Sequence, residues 1–334
     1  MDLQNNNRNI AIDLAKYFSS VMVIAIHTNL FHDADETLNF FVVQIVCRLA
    51  VPFFAVCSGY FLTRKILAES GENHWRIFIK QWKKLLLIYG IWALLYLPYS
   101  IPMWIRIGWF SPFAFVDYFV GAFTKGAHYH LWYLWGMIYT LPVFYLTIKK
   151  LPRGCWAVFA TFLWVIKAST YDYSHLFPQI PKIIELSQKC GTFLCLLPLL
   201  LIGALIATQS LHSQKVLIFG IVICSIGLWS EAFSLHTDGH DAVSYIFFTL
   251  PLIYFLFQSI LKIKLVSKSP VCRFLGPISM FIYCIHPMIL ESTADIFSSS
   301  IIHFLFVSII STALPFTYYS FKNCIRKKCD VCSN

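Results

Sequence analysis

Lys16 and His27 stand eleven positions apart in the run AIDLAKYFSSVMVIAIHTNLF, residues 11–31, which also holds Asp13. At ~100° per residue, eleven steps come within ~20° of whole turns, so both side chains leave one helix face, ~16 Å apart along the axis. A run this long can cross a bilayer, and ionisable groups inside a span are costly to insert, which marks them as functional positions by default. A neutral imidazole is a suitable general base near neutral pH. A cation on the same face can hold an anionic ligand. Arg48 adds a second cation near the middle of the next apolar run. It keeps its charge at any depth and must therefore face protein, water or an anion. Pro52, four positions on, deprives the Arg48 carbonyl of its helical donor and predicts a kink there. Bland readings stand beside these. Lys16 lies about two turns inside the run, from where its stem can snorkel to the interface, and Asp13 three residues earlier can neutralise it. Arg48 can pair with Asp13, and His27 can be a hydrogen-bonded packing residue.

Two later motifs carry further candidates. HYHLWYL, residues 128–134, sets His128 and His130 around Tyr129, with Trp132 and Tyr133 following. It reads either as an interfacial aromatic belt or as a polar, stacking rim for a sugar-like ligand. GPISMFIYCIHPMIL, residues 276–290, places Tyr283 and His286 on one helix face with Pro287 directly after.

The elements that position these residues are helices in a membrane. Only 13% of the 334 residues are charged and 58% are hydrophobic, whereas soluble domains are ~25% charged. Apolar runs predict about ten transmembrane helices: 11–31, 38–63, 77–100, 131–148, 155–168, 191–207, 216–235, 242–261, 274–290 and 300–321. The intervening 101–129 is dense in aromatic residues and reads as an outer-interface or re-entrant segment. Of the 26 lysines and arginines, Lys16 and Arg48 lie inside runs. With the N-terminus inside, nineteen fall on the inner side: Arg8 and those in 64–84, 149–153, 215, 262–273 and 322–328. Five (Arg106, Lys125, Lys167, Lys182 and Lys189) fall outside, with Asp33, Asp35, Glu36, Asp238, Asp241, Glu291 and Asp295. This segregation puts both termini in the cytoplasm. It also accounts for the net charge of +10 without a nucleic-acid partner. The first run is too long for a signal-peptide core and no small-residue cleavage site follows, so it is expected to stay in the protein. The expected architecture is all-α, a polytopic bundle forming one domain over 1–334, with a core at 10–321 and a basic cytoplasmic tail at 322–334. Most cysteines fall within apolar runs as packing residues. Cys324, Cys329 and Cys332 are on the tail, and no metal site is expected.

Taken together and in order, K-x10-H, RLAVPFFAVCSGYFL, HLWYL and GPISMFIYCIHPMIL resemble the integral membrane acyltransferase 3 family along nearly the whole chain. Within it, the chain is similar to short single-domain O-acetyltransferases such as that of enterobacterial common antigen. It is also similar to the membrane part of vancomycin-resistance serine racemases. The resemblance implies transfer of an acyl group, usually acetyl, from cytoplasmic acyl-CoA to a hydroxyl of a cell-surface sugar or its lipid-linked precursor, in a bacterial cytoplasmic membrane. The family places an arginine eleven positions before the first-helix histidine. The matching positions here are Lys16 and His27, so a point charge stands where the family has a planar fork.

On this reading His27 and Arg48 are the catalytic residues. Lys16, Arg48, Arg64 and Lys65 bind the acyl donor, and His130, Trp132, Tyr133, Tyr283 and His286 bind the acceptor. Acetyl-CoA or another acyl-CoA is a co-substrate, no cofactor is permanently bound, and membrane lipid is the remaining partner. The competing reading is a transporter or binding module for a small polar solute, with Lys16, His27 and Arg48 forming its anion and proton path.

Overall fold

The computed structural model describes residues 9–69, 73–176, 179, 181–238, 244–265 and 274–332, without the side chains of 188 and 321–332. Arg8, Asp241, Lys268 and Arg273 therefore lie outside the described residues, as do the side chains of Lys322, Arg326, Lys327, Lys328, Cys324, Cys329 and Cys332.

Every regular element among the described residues is helical. In chain order these are α1 (Ile10–Thr28), α2 (Glu36–Asn39), a π-helical stretch (Phe40–Val46), a 3-10 turn (Cys47–Leu49), α3 (Ala50–Leu67) and α4 (Asn73–Arg106). Then come α5 (Pro112–Thr124), α6 (Trp132–Lys150), α7 (Arg153–Thr170), α8 (Pro181–Lys189) and α9 (Gly191–Thr208). The last are α10 (Gln214–Thr237), α11 (Thr249–Lys262), α12 (Leu275–Ser292) and α13 (Ser300–Cys332). Each of the ten apolar runs is helical over most of its length. Among the described residues seven helical segments are long and apolar enough to span a membrane: Ile10–Thr28, Glu36–Leu67, Asn73–Arg106, Pro112–Lys150, Gly191–Thr208, Gln214–Thr237 and Ser300–Ser320. α7, α11 and α12 fall below that mark in length or composition. Large apolar side chains such as Leu87, Leu94, Phe219, Ile226 and Ile309 are exposed on these segments, the surface a bilayer would cover.

The chain divides into two compact units, Met1–Ala50 with Ser259–Asn334, and Val51–Gln258. In the first, α1 is the central helix, packed by α12, α13 and the turn that carries Arg48. Its core interlocks Ile24 with Ile278, Ile282 and Val307. Asn9 caps α1, its side chain accepting from the Ile12 amide at 3.2 Å, and its side-chain amide group also donates to the Leu261 carbonyl at 3.2 Å. Asn29 ends the helix in the left-handed conformation (φ 48°, ψ 56°), its amide returning to the Ala25 carbonyl, a common C-terminal device. Outside the helix end, the Ser300 amide donates to Asp33 at 2.6 Å and its hydroxyl to the Leu30 carbonyl at 3.0 Å.

In the second unit α9 is the central helix, flanked by α6, α7 and α8. Gly59 of α3 and Gly203 of α9 let two backbones touch, since a Cβ at either would overlap the facing carbonyl of Leu200 or Val56. Close approach at small residues is the packing mode expected where lipid supplies no hydrophobic drive. The Trp82 indole donates to the Ile138 carbonyl at 2.7 Å, tying α4 to α6. Within residues 101–129, expected as an outer-interface or re-entrant segment, α4 runs on to Arg106 and α5 forms a separate helix. Ser111 precedes it in extended conformation and Pro112 opens its first turn, a start signal written in the sequence.

Candidate functional site

His27 sits in the last turn of α1 and is half-buried. Its imidazole faces that of His286 on α12, ring centroids 5.2 Å apart and planes 30° from parallel. His286 is completely buried, and its Nδ1 lies 3.1 Å from the Ile282 carbonyl one turn back. Tyr283 is at the edge of the same group, 6.4 Å from His286 by centroid. The contact of Ile24 with Ile278 and Ile282 lies about one turn below the rings. The structure thus brings together the sequence candidates His27, Tyr283 and His286.

Arg48 lies where the helical geometry changes twice, from π over Phe40–Val46, through 3-10 over Cys47–Leu49, to α from Ala50. The expected kink at Arg48 takes this form: with Pro52 donating nothing, the chain rewinds rather than merely bends. Gln44, buried and four residues earlier, accepts from Arg48 Nε at 2.8 Å. This orients the guanidinium of a half-buried arginine on a turn that packs against α1. Gln44 escaped the sequence reading, although an i, i+4 Gln–Arg pair was there to be seen. Lys16 lies 3.9 Å from Asp13, as their spacing suggested, with 23% of its side chain exposed. Asp13 therefore tempers the Lys16 charge, and Lys16 is about three helical turns from His27.

The remaining candidates belong to the second unit. Arg64 and Lys65 are exposed in the last turn of α3, and Arg64 donates to the Tyr60 hydroxyl at 3.0 Å. Cations at a helix C-terminus also complement its dipole. His130 is 1% exposed rather than part of an open rim. Its Nδ1 is 3.1 Å from that of His128, and both rings lie against the fully buried Tyr96, at 4.4 Å from His128 and 4.7 Å from His130. Tyr133 is buried, Trp132 is half-buried, and Tyr129 is the member of HYHLWYL that faces outward. Lys167, counted as an outer-loop charge, is 2% exposed and sits between the rings of Tyr171 at 4.2 Å and Tyr245 at 4.3 Å. Nearby, Asp172 accepts from the amides of Ser244 and Tyr245, and Glu231 from those of Phe247 and Phe248.

Helices alone among the described residues, several spanning segments, an imidazole pair in one unit and an arginine at a rewound turn define a multi-pass membrane protein with buried polar chemistry. The acyltransferase-domain model matches residues 9–320, and the chain belongs to this family, acyltransferase 3. Among curated proteins it is similar to an amino-acid racemase of Enterococcus faecalis, 25% identical over 94% of this chain and 46% of the relative. It is also similar to a serine/alanine racemase of Enterococcus gallinarum, 27% identical over 91% of this chain and 45% of the relative. The chain thus spans less than half the length of these relatives. No solved structure matches it.

Proposed function

We propose that this chain is a membrane O-acyltransferase, which moves an acetyl group from cytoplasmic acetyl-CoA to a hydroxyl of a surface carbohydrate or its lipid-linked precursor. The observation that carries this reading is the half-buried His27 imidazole on the central helix of its unit, in a chain whose family is defined by acyl transfer. The acceptor hydroxyl gives its proton to His27. Its oxygen bonds to the thioester carbonyl carbon, the carbon–sulfur bond breaks, and the proton passes on to the departing thiolate. That is direct attack. By the acyl-imidazole route the neutral His27 nitrogen first bonds to the thioester carbonyl carbon and the carbon–sulfur bond breaks. The acceptor oxygen then bonds to the acyl carbon as the carbon–nitrogen bond breaks, and the hydroxyl proton ends on the thiolate. The last turn of a helix, with its unpaired carbonyls, is a favourable place for positive charge to develop on an imidazole. Arg48, oriented by Gln44, is assigned to the oxyanion or to donor phosphate, and Lys16 to the charged end of the donor.

Arg64 and Lys65 are further donor candidates, and His130, Trp132 and Tyr133 acceptor candidates, each resting on the family resemblance. The cytoplasmic termini rest on the lysine and arginine count alone. The test is acyl-ester content of surface glycan in cells carrying His27→Ala, inserted at normal levels. Loss of the ester is expected, and wild-type content would refute the assignment.

A second reading, resting on Lys16, His27 and Arg48 as ionisable groups inside apolar runs, is a membrane module that binds or carries a small polar solute. In that case the His27→Ala protein would still bind its solute, and no acyl ester would depend on the chain.

A further inference from the structure

We infer that His286 is the positioning residue of His27, holding the reacting imidazole by stacking rather than touching the acceptor; this rests on the acyl-transfer reading above. His286 is wholly buried, whereas His27 is half-buried, so the accessible member of the pair is the one on α1. The His286 ring cannot turn freely, because its Nδ1 is held by the Ile282 carbonyl at 3.1 Å. Nor can its helix slide, because Ile278 and Ile282 interlock with Ile24 of α1 and Val307 of α13. A ring fixed in this way, 5.2 Å from its neighbour and tilted by 30°, restricts the orientations open to His27. That restriction matters because His27 is in the final turn of α1, one residue before Thr28 and two before the left-handed Asn29. A helix end is where a side chain otherwise has most freedom, and orientation of a catalytic group is a large part of its rate.

Two substitutions separate the stack from the hydrogen bond. His286→Phe keeps a flat ring and loses the bond to Ile282, while His286→Asn keeps a short polar group and loses the stack. The first measurement is thiol release from acetyl-CoA in native membrane vesicles carrying the full chain, which also hold the acceptor. Turnover at saturating donor should stay within about threefold of wild type for His286→Phe. It should fall by about tenfold or more for His286→Asn, with KM for acetyl-CoA unchanged. Equal loss in both variants, retention by His286→Asn, or wild-type turnover in both would overturn the inference. An effect confined to acceptor KM would return His286 to the acceptor.

The second measurement does not depend on activity. In the detergent-purified chain with 13C-histidine, the His27 ring resonance, assigned by its absence from His27→Gln, carries a ring-current displacement from His286. This displacement should survive in His286→Phe and vanish in His286→Asn; an unchanged resonance in both would overturn the stack. If wild-type vesicles release no thiol while the resonance behaves as expected, the acyl-transfer reading fails and the pairing stands.

Discussion

A side chain becomes useful in a membrane only when its neighbours fix where its charge or lone pair points. Arg48 illustrates this. Its Nε is committed to Gln44 at 2.8 Å, and a hydrogen bond to a charged group contributes about 1.5–3 kcal/mol. Gln44→Leu should therefore weaken acetyl-CoA binding by about tenfold, and Arg48→Glu should weaken it further, both measured by titration of purified chain. Equal affinity in all three proteins would remove Arg48 from the donor site. Asp33 gives a pH prediction at the same scale. The Ser300 amide, donating at 2.6 Å, holds its carboxyl below the ordinary value of 3.8, with help from the Ser300 side chain. A depressed folded-state value means the stabilisation is present above that ordinary value and is lost as pH falls through the lowered one. The melting temperature of the wild type should therefore drop on acidification below ~pH 4 more than that of Asp33→Asn. Identical slopes would deny Asp33 this role. The sequence already exposed Lys16, His27, Arg48 and His286 as residues out of place in apolar runs. It could not show that His27 faces His286, because the rotation of one helix against another depends on packing that no single run encodes.

At the scale of elements, the rewound segment before α3 is the one that carries Arg48. A π-helix carries one residue more per local turn than its α-helical counterpart, so removing one restores ordinary winding. Deleting Val42, within Phe40–Val46, should rotate α2 by ~100° relative to Arg48 while leaving the Gln44–Arg48 pair intact. Insertion should be normal and thiol release from acetyl-CoA should fall to background; full activity would show that the rewinding is incidental. Helix existence was readable in the ten long apolar runs, since apolar length is a strong signal. Helix winding was not, because Pro52 announces a lost hydrogen bond without saying whether the chain bends or rewinds. The helical form of α5 is not legible in its length, which is too short for a span, although Ser111 and Pro112 mark its start.

For the whole molecule the deciding property is which way it faces. On the lysine and arginine count, the turn before α4 is expected in the cytoplasm and the segment before α6 outside. In a chain lacking its native cysteines, Asn73→Cys should resist an impermeant thiol reagent in intact cells, and Ala127→Cys should react. The reverse pattern would put His27 near the cytoplasm and remove the reason for transferring an acyl group across the bilayer. α4 adds a property that no site residue has. Its 34 residues measure ~50 Å at 1.5 Å each, against a hydrocarbon core of ~30 Å. A rod so much longer than its solvent slab must lean, bend at Pro98 and Pro102, or stand proud of the surface, and lipid chain length sets the balance among these. The lean, bend or protrusion of α4 would therefore change with the thickness of the bilayer around it.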